Sequence, residues 1–140
     1  MSYDDAMDSL SNDALKLIKN NQVIGLGSGR AATELVKSLG KLIKLKNYNI
    51  KGIPTSLQIK LVAEKAGIPL IESDQVNHID IVFDGADQID SDKYVIKGGG
   101  GALLRENILF SLAKKVVVMA DKTKFVKKFT RTVPIEIHPL

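Results

Sequence analysis

The sequence contains no cysteine and only two histidines among its 140 residues. The lack of cysteine excludes disulfide bonds, zinc–thiolate sites and a cysteine nucleophile, and it is typical of a protein of the reducing cytoplasm. Two histidines, His78 and His138, are too few to build a histidine-rich metal site. We therefore expect a cytoplasmic protein that has neither a disulfide nor a metal centre.

Long hydrophobic runs are also missing. The longest strongly apolar stretch near the end of the chain, residues 116–120, is far shorter than the roughly 20 residues that span a bilayer. The chain opens on an acidic segment, residues 1–8, and not on the basic and then apolar pattern of a signal peptide. We expect no association with a membrane.

Positive charge is in excess, but the excess is local. The 20 basic and 16 acidic residues give a net charge of +4. Without the five cations between residues 122 and 131, the other 15 basic and 16 acidic residues leave −1. These five are Lys122, Lys124, Lys127, Lys128 and Arg131. Such a patch attracts an anionic small molecule or a nucleic acid, but aromatic residues are only 5% and do not interleave with it, which disfavours a nucleic-acid platform.

Short apolar runs alternate with longer segments of helical periodicity. The pattern predicts helices over residues 5–20, 30–46 and 103–114, and a further helix that Thr55 or Ser56 caps and that runs to residue 66. It predicts strands over residues 23–26, 48–53, 70–71, 79–83, 94–96, 115–120 and 132–137. Strands that alternate with helices imply right-handed crossovers. We therefore predict an α/β fold, an open Rossmann-like, mainly parallel sheet with helices on both faces.

Glycine-rich and polar segments follow the predicted strands, where ligands bind in such sheets. The first segment, GLGSGR at residues 25–30, suits either a phosphate-binding loop at a helix N-terminus or a tight turn. A dinucleotide site would have glycine in place of Arg30 and an acid at the end of the second strand, where Lys51 to Ile53 stand. A dinucleotide-binding oxidoreductase domain is therefore disfavoured.

Three further segments carry chemistry. Asp84 and Asp87 follow an apolar strand and suit sugar hydroxyls, proton transfer or a cation, or else form an Asx-turn with solvated acids. Four glycines at residues 98–101 stand between Lys97 and a helix whose first turns carry Glu106, and their N–H groups suit one anion. The last segment covers residues 120–124, and Asp121 can cap a turn there. Lys122 or Lys124 can bind an anion, or each can be a solvated surface charge.

Together these four segments resemble type A ribose-5-phosphate isomerase, in order and spacing, over essentially the whole chain. The resemblance implies interconversion of ribose 5-phosphate and ribulose 5-phosphate in the pentose phosphate pathway, with a sugar phosphate as partner and no metal or organic cofactor. It implies that Glu106 is the catalytic base, with Asp84, Asp87 and Lys97 also in the active site. The substrate-binding residues that it implies are Ser28, Gly29, Arg30, Ala31, Gly98, Gly99, Gly100 and Lys124.

Two departures from the family concern the phosphate end of the substrate. The family usually has Ser-Thr where this chain has Arg30 and Ala31, and a basic residue in the first helix where this chain has residues 7–9, Met-Asp-Ser. We hypothesise that Arg30 supplies the cation that the first helix lacks. The competing interpretation is a solvated Arg30 on the first helical turn.

The third departure is length. The family has a further small α+β domain, which would start where this sequence stops. We expect residues 1–131 to form a Rossmann-like catalytic domain and residues 132–140 to begin a second domain. An exposed sheet edge and an uncovered hydrophobic face are the expected consequences, with low solubility or unusual oligomerisation. We also expect a homo-oligomer, a dimer or a tetramer. Two alternatives to an enzyme stay open: a non-catalytic sugar-phosphate-binding module of the same superfamily, and nucleic-acid binding through residues 122–131, which we disfavour.

Overall fold

A four-stranded parallel sheet organises the chain in the computed structural model, which describes residues 2–97, 103–135 and 137. The strands are β1 (Val23–Leu26), β2 (Lys51–Pro54), β3 (Ile81–Gly85), β4 (Gln88–Ile89), β5 (Val95–Ile96) and β6 (Val116–Met119). The helices are α1 (Tyr3–Leu15), α2 (Arg30–Lys46), α3 (Leu57–Lys65) and α4 (Leu103–Leu112). The sheet has the order β2-β1-β3-β6, and β4 pairs with β5 in a separate antiparallel ribbon.

Helices cover both faces of the sheet, as the sequence predicts. Along β3, Ile81 and Phe83 belong to the core that α1, α2 and α3 share, whereas Val82 packs with Leu109 of α4 on the other face. The apolar run of β3 is thus buried on both sides, which is characteristic of parallel sheets. Among the helices of the described residues, none combines the length and the apolar character that crossing a membrane requires.

Two glycines set how α2 packs. Gly29 precedes the helix with a φ of 90°, a conformation that side chains disfavour, so the chain turns there from β1 into α2. Gly40 lies in the middle of the helix, and a Cβ at this position would overlap the carbonyl oxygen of Ala66. Glycine therefore lets α2 approach the end of α3 closely, against its own poor helix propensity. The bounds of α2 and of β1 agree with the prediction.

The predicted strand over residues 132–137 is wrong for the residues that the structure describes there, 132–135 and 137. Val133 and Ile135 are 73% and 84% exposed and pair with no strand of the described chain. Residues 70–71 were also predicted as a strand but form a single parallel bridge, between Leu70 and Gly52. The run is too short to extend the ladder on β2.

The remaining differences lie at element ends and in one short strand that was not predicted. The first helix ends at Leu15 and not at residue 20, because the N–H groups of Leu17 and Ile18 bond to carbonyls three residues back and close a tighter turn. The strand β4 was not predicted, since two residues beside polar Asp87 and Asp90 carry almost no periodic signal. Its pairing with β5 places Lys97 directly after a strand.

Candidate active site

A cleft of about 260 Å³ lies at the carboxyl ends of the parallel strands. The loop after β1, the end of β3, the segment after β6 and the first turn of α4 all line it. The structure brings together nine of the predicted site residues there: Ser28, Gly29, Arg30, Ala31, Asp84, Asp87, Lys97, Glu106 and Lys124. The predictions for Gly98, Gly99 and Gly100 concern residues outside the described part of the chain.

Two buried carboxyl groups share one ammonium group at the floor of this cleft. Lys97 Nζ lies 3.1 Å from Asp84 Oδ2 and 2.9 Å from Glu106 Oε2, and it also donates to the carbonyl oxygen of Gly85. The side chains of Asp84, Glu106 and Lys97 are only 1%, 2% and 13% exposed. Water therefore screens these charges weakly, and their interactions are strong.

The backbone around this cluster leaves space for the carboxyl group of Asp84. Asp84 is the fourth residue of β3, and its side chain lies against Gly27, which follows β1. A Cβ at Gly27 would overlap the Asp84 carboxyl group and the Phe83 carbonyl oxygen, to which the Gly27 N–H donates at 2.8 Å. Asp84 Oδ1 accepts the N–H of Gly85 at 2.8 Å. Glycine at position 27 is thus required for the site and not only for a turn.

Burial and neighbouring charges give the carboxyl groups of Asp84 and Glu106 different pKa values. Burial, together with the hydrogen bond to Glu106, raises the pKa of Asp84 to about 8. Burial also opposes ionisation of Glu106, but the hydrogen bond from Asp84, the charge of Lys97 and the hydroxyl of Ser28 outweigh it and lower the pKa of Glu106. At pH 7 the cluster therefore holds a neutral acid, a carboxylate and an ammonium group.

The two oxygens of Glu106 have different neighbours. Ser28 Oγ donates a hydrogen bond to Glu106 Oε1 at 2.8 Å, whereas Oε2 faces Lys97. The position of Glu106 in the first turn of α4 supports its negative charge, because the partial positive charge of a helix lies at its N-terminus. The carboxylate is thus fixed from two sides and available as a proton acceptor.

The cluster does not have the composition of a metal site. The ammonium group of Lys97 occupies the place between the two carboxyl groups where a cation would have to bind. Within the described ranges, no group of three histidine, cysteine, aspartate or glutamate residues is arranged to hold a metal ion.

Arg30 lies at the rim of the cleft, at the start of α2. Its Nη2 pairs with Asp4 Oδ1 at 3.0 Å, and its guanidinium lies 4.7 Å from the centre of the Tyr3 ring. The side chains of Arg30 and Asp4 are 58% and 81% exposed, so this ion pair contributes little to stability. An anion in the cleft can therefore compete with Asp4 for Arg30.

Sequence reasoning missed several residues that line the cleft. They are Tyr3, Met7, Ser56, Gln58, Gly85, Ala86, Met119, Ala120 and Asp121. Ser56 was one of the two residues predicted to cap the third helix, and it accepts the N–H of Ile59. Asp121 was predicted to cap a turn, and it accepts the N–H of Thr123. Met7 belongs to the stretch 7–9, where the family has a basic residue for the phosphate, whereas Tyr3 carried no signal, since only the packing of α1 brings it to the cleft.

The sequence and the fold both match one family of proteins. Residues 51–140 match the family model described as ribose 5-phosphate isomerase A (phosphoriboisomerase A). Over 130 residues the chain is 42% identical to ribose-5-phosphate isomerase A of Trichodesmium erythraeum, which covers 91% of this chain and 55% of that relative.

Two solved structures are also similar. The structure of ribose 5-phosphate isomerase A from Methanocaldococcus jannaschii has a TM-score of 0.87 and 39% identity. A structure of D-ribose-5-phosphate isomerase in complex with phospho-erythronic acid has a TM-score of 0.87 and 38% identity. Each comparison covers 91% of this chain and 56% of the other. The chain thus spans about half the length of the relatives that it matches.

Replacement of Asp84 by asparagine is expected to stabilise the fold more at pH 9 than at pH 5. The folded protein keeps Asp84 protonated up to a pH of about 8, whereas the ordinary pKa is 3.8, so a rise in pH between these values lowers the stability of the folded state. Asparagine cannot ionise and avoids this loss. From pH 5 to pH 9, the free energy of unfolding of Asp84→Asn relative to the parent should rise by more than about 1.4 kcal/mol, the equivalent of one pKa unit.

Urea titration at both pH values measures this difference. The matched control is Asp8→Asn, the same replacement at an exposed carboxyl group of α1. A stability difference for Asp84→Asn that is constant, or that falls toward pH 9, would show that Asp84 is already ionised in the folded protein at neutral pH.

Proposed function

The chain belongs to the ribose 5-phosphate isomerase A family, and on that premise we propose that it interconverts D-ribose 5-phosphate and D-ribulose 5-phosphate through an enediolate. The observation that carries the proposal is the pair of buried carboxyl groups, one neutral and one ionised, on a single ammonium group. An aldose–ketose isomerase needs this combination, because it must both accept and donate protons at neutral pH.

Glu106 is the proposed base. The reaction moves a proton between C1 and C2, and one carboxylate on one face of the sugar can take the proton from one carbon and return it to the other. The lowered pKa of Glu106 keeps it ionised, and its contacts with Ser28 and Lys97 fix its direction. Lys97 also places positive charge where the enediolate develops negative charge.

Asp84 is the proposed acid. The substrate is mostly a closed furanose, so ring opening has to come first, and it places a proton on the ring oxygen and removes one from the anomeric hydroxyl. A carboxyl group with a pKa of about 8 still carries its proton at neutral pH and can donate it. Asp87 lines the same cleft beyond β3 and is proposed to position the sugar hydroxyls.

The start of α2 is proposed to receive the phosphate group. Gly29, Arg30 and Ala31 line the cleft there, and a helix N-terminus combines free N–H groups with partial positive charge. The side chains of Arg30 and Lys124 add two cations to the lining. Anchoring the phosphate orients the chain so that C1 and C2 face Glu106.

Phospho-erythronic acid, which a solved relative binds, supports the same arrangement. Its carboxylate spreads negative charge over two oxygens at one end of a hydroxylated chain that also carries a phosphate. An enediolate phosphate has the same distribution of charge, so this acid is a suitable probe for the cleft.

The proposal extends to the domain organisation, the cellular compartment and the oligomeric state. We propose that residues 1–131 form the catalytic domain and that residues 132–140 begin a second domain. We also propose that the protein acts in the cytoplasm. The lack of cysteine supports the compartment. We also propose a homo-oligomer, a dimer or a tetramer, because the outer strand β6 carries the exposed side chains of Val116 and Val118.

Glu106→Gln is expected to lower turnover of ribose 5-phosphate by about 10²- to 10⁴-fold, the usual contribution of a general base. Glutamine keeps the shape of the side chain but cannot accept the proton. Binding of phospho-erythronic acid, measured by calorimetry, should persist. A coupled assay of ribulose 5-phosphate formation, run on this chain and on a version extended to the length of its relatives, measures turnover.

The matched control is Glu64→Gln, at an exposed position of α3, which should retain the parent's turnover. Turnover that survives Glu106→Gln would remove Glu106 as the base. Binding of the acid without turnover in any version, including the extended one, would favour a non-catalytic sugar-phosphate-binding module.

Arg30→Ala is expected to raise KM for the sugar phosphate about tenfold and to leave kcat nearly unchanged. The variant loses a hydrogen bond to the charged phosphate group, which lies far from the reacting carbons. Lys37→Ala, which removes another exposed cation from α2, serves as the control. If KM is the same for Arg30→Ala and the parent, Arg30 does not bind the phosphate and is only a solvated residue of the first turn.

A further inference from the structure

Ser28 belongs to the loop proposed for the phosphate group, yet its hydroxyl is engaged elsewhere. Ser28 Oγ donates its proton to Glu106 Oε1 at 2.8 Å. A serine hydroxyl carries one proton and can otherwise only accept hydrogen bonds. A phosphate dianion presents only acceptor oxygens. While the bond to Glu106 exists, the Ser28 side chain therefore has no proton to offer a phosphate group.

The backbone on both sides holds Ser28 in this orientation. Gly27 packs against Asp84 with no space for a Cβ, and its N–H is bonded to the Phe83 carbonyl oxygen. Gly29 has a φ of 90° and turns the chain into α2. Ser28 lies between these two fixed points and is itself partly buried. The backbone at Gly27 and Gly29 thus fixes the position from which the Ser28 side chain reaches Glu106.

The contact completes the support of the carboxylate. Lys97 Nζ forms an ion pair with Glu106 Oε2 at 2.9 Å, whereas the directional hydrogen bond at Oε1 comes from Ser28. A base that serves two adjacent carbon atoms must present its oxygen within a fraction of an ångström of both. Rotation about the last side-chain bond of Glu106 would lose that geometry, and the Ser28 hydroxyl opposes the rotation.

We propose that Ser28 is a positioning residue, which orients the Glu106 carboxylate through Oε1 and does not bind the phosphate through its side chain. This inference rests on the proposed isomerase function. The phosphate interacts with the backbone N–H groups at the start of α2 and with the neighbouring cations. Ser28 acts on the rate through Glu106.

Ser28→Ala and Ser28→Thr test the proposal on the full chain. Alanine should lower kcat by about 10- to 100-fold, as expected when a hydrogen bond to a charged group is lost, with KM within about threefold of the parent. Threonine retains the hydroxyl and should restore most of kcat. Ser91→Ala, at an exposed position between β4 and β5, is the matched control and should retain the parent's kcat and KM.

The pH profile adds a readout that a general loss of structure would not give. Two titratable side chains that act on the pKa of Glu106, Asp84 from β3 and Lys97 after β5, both remain in Ser28→Ala. Loss of the hydroxyl removes one of the contacts that lower the pKa of Glu106. The acidic limb of kcat/KM should therefore move to higher pH in Ser28→Ala and return in Ser28→Thr.

Two results would overturn the proposal. One is a raised KM with kcat unchanged in Ser28→Ala, the behaviour of a phosphate ligand; the other is no change in kcat, KM or the pH profile. If the parent itself shows no turnover, the proposed function fails separately. The carboxyl ¹³C resonance of Glu106 then decides: a higher pKa in Ser28→Ala supports the contact, and an unchanged pKa contradicts it.

Discussion

The ammonium group of Lys97, between the buried carboxyl groups of Asp84 and Glu106, is the interaction on which the site depends. A buried carboxylate without a partner costs several kcal/mol, and two neighbouring carboxylates also repel each other. One cation cannot compensate two anions in this environment, so one proton stays, and it stays on Asp84. The cluster therefore holds an acid and a base at the same pH, with the ammonium group of Lys97 between them.

This arrangement places demands on the fold. Asp84 comes from β3, Lys97 follows β5 and Glu106 begins α4, so the three groups meet only when these elements pack as they do. Gly27 is part of the same requirement, because any side chain there would displace Asp84. The parallel sheet supplies the frame, since its strands end at one edge and deliver their polar residues to one cleft.

Much of this arrangement is predictable from the sequence, for a physical reason. The glycines and charges after β1, β3 and β6 contrast sharply with the apolar strands before them, so their meeting in one cleft followed from the parallel sheet. Protonation could not be predicted, because the acidity of Asp84 depends on burial and on neighbours distant along the chain. The bond from Ser28 to Glu106 was missed because its partners lie 78 residues apart. The strand predicted over residues 132–137 is wrong for the described residues of that range, because β-type residues also need a neighbouring strand to pair with.

The central claim is that one carboxyl group of the cluster is neutral and the other ionised at neutral pH. Titration of the carboxyl ¹³C resonances of Asp84 and Glu106, in the free protein, tests it most directly. The account predicts a transition of Asp84 near pH 8 and ionisation of Glu106 below its ordinary pKa of 4.5. Two carboxyl groups that both ionise below pH 5, or a proton that resides on Glu106 at pH 7, would contradict it.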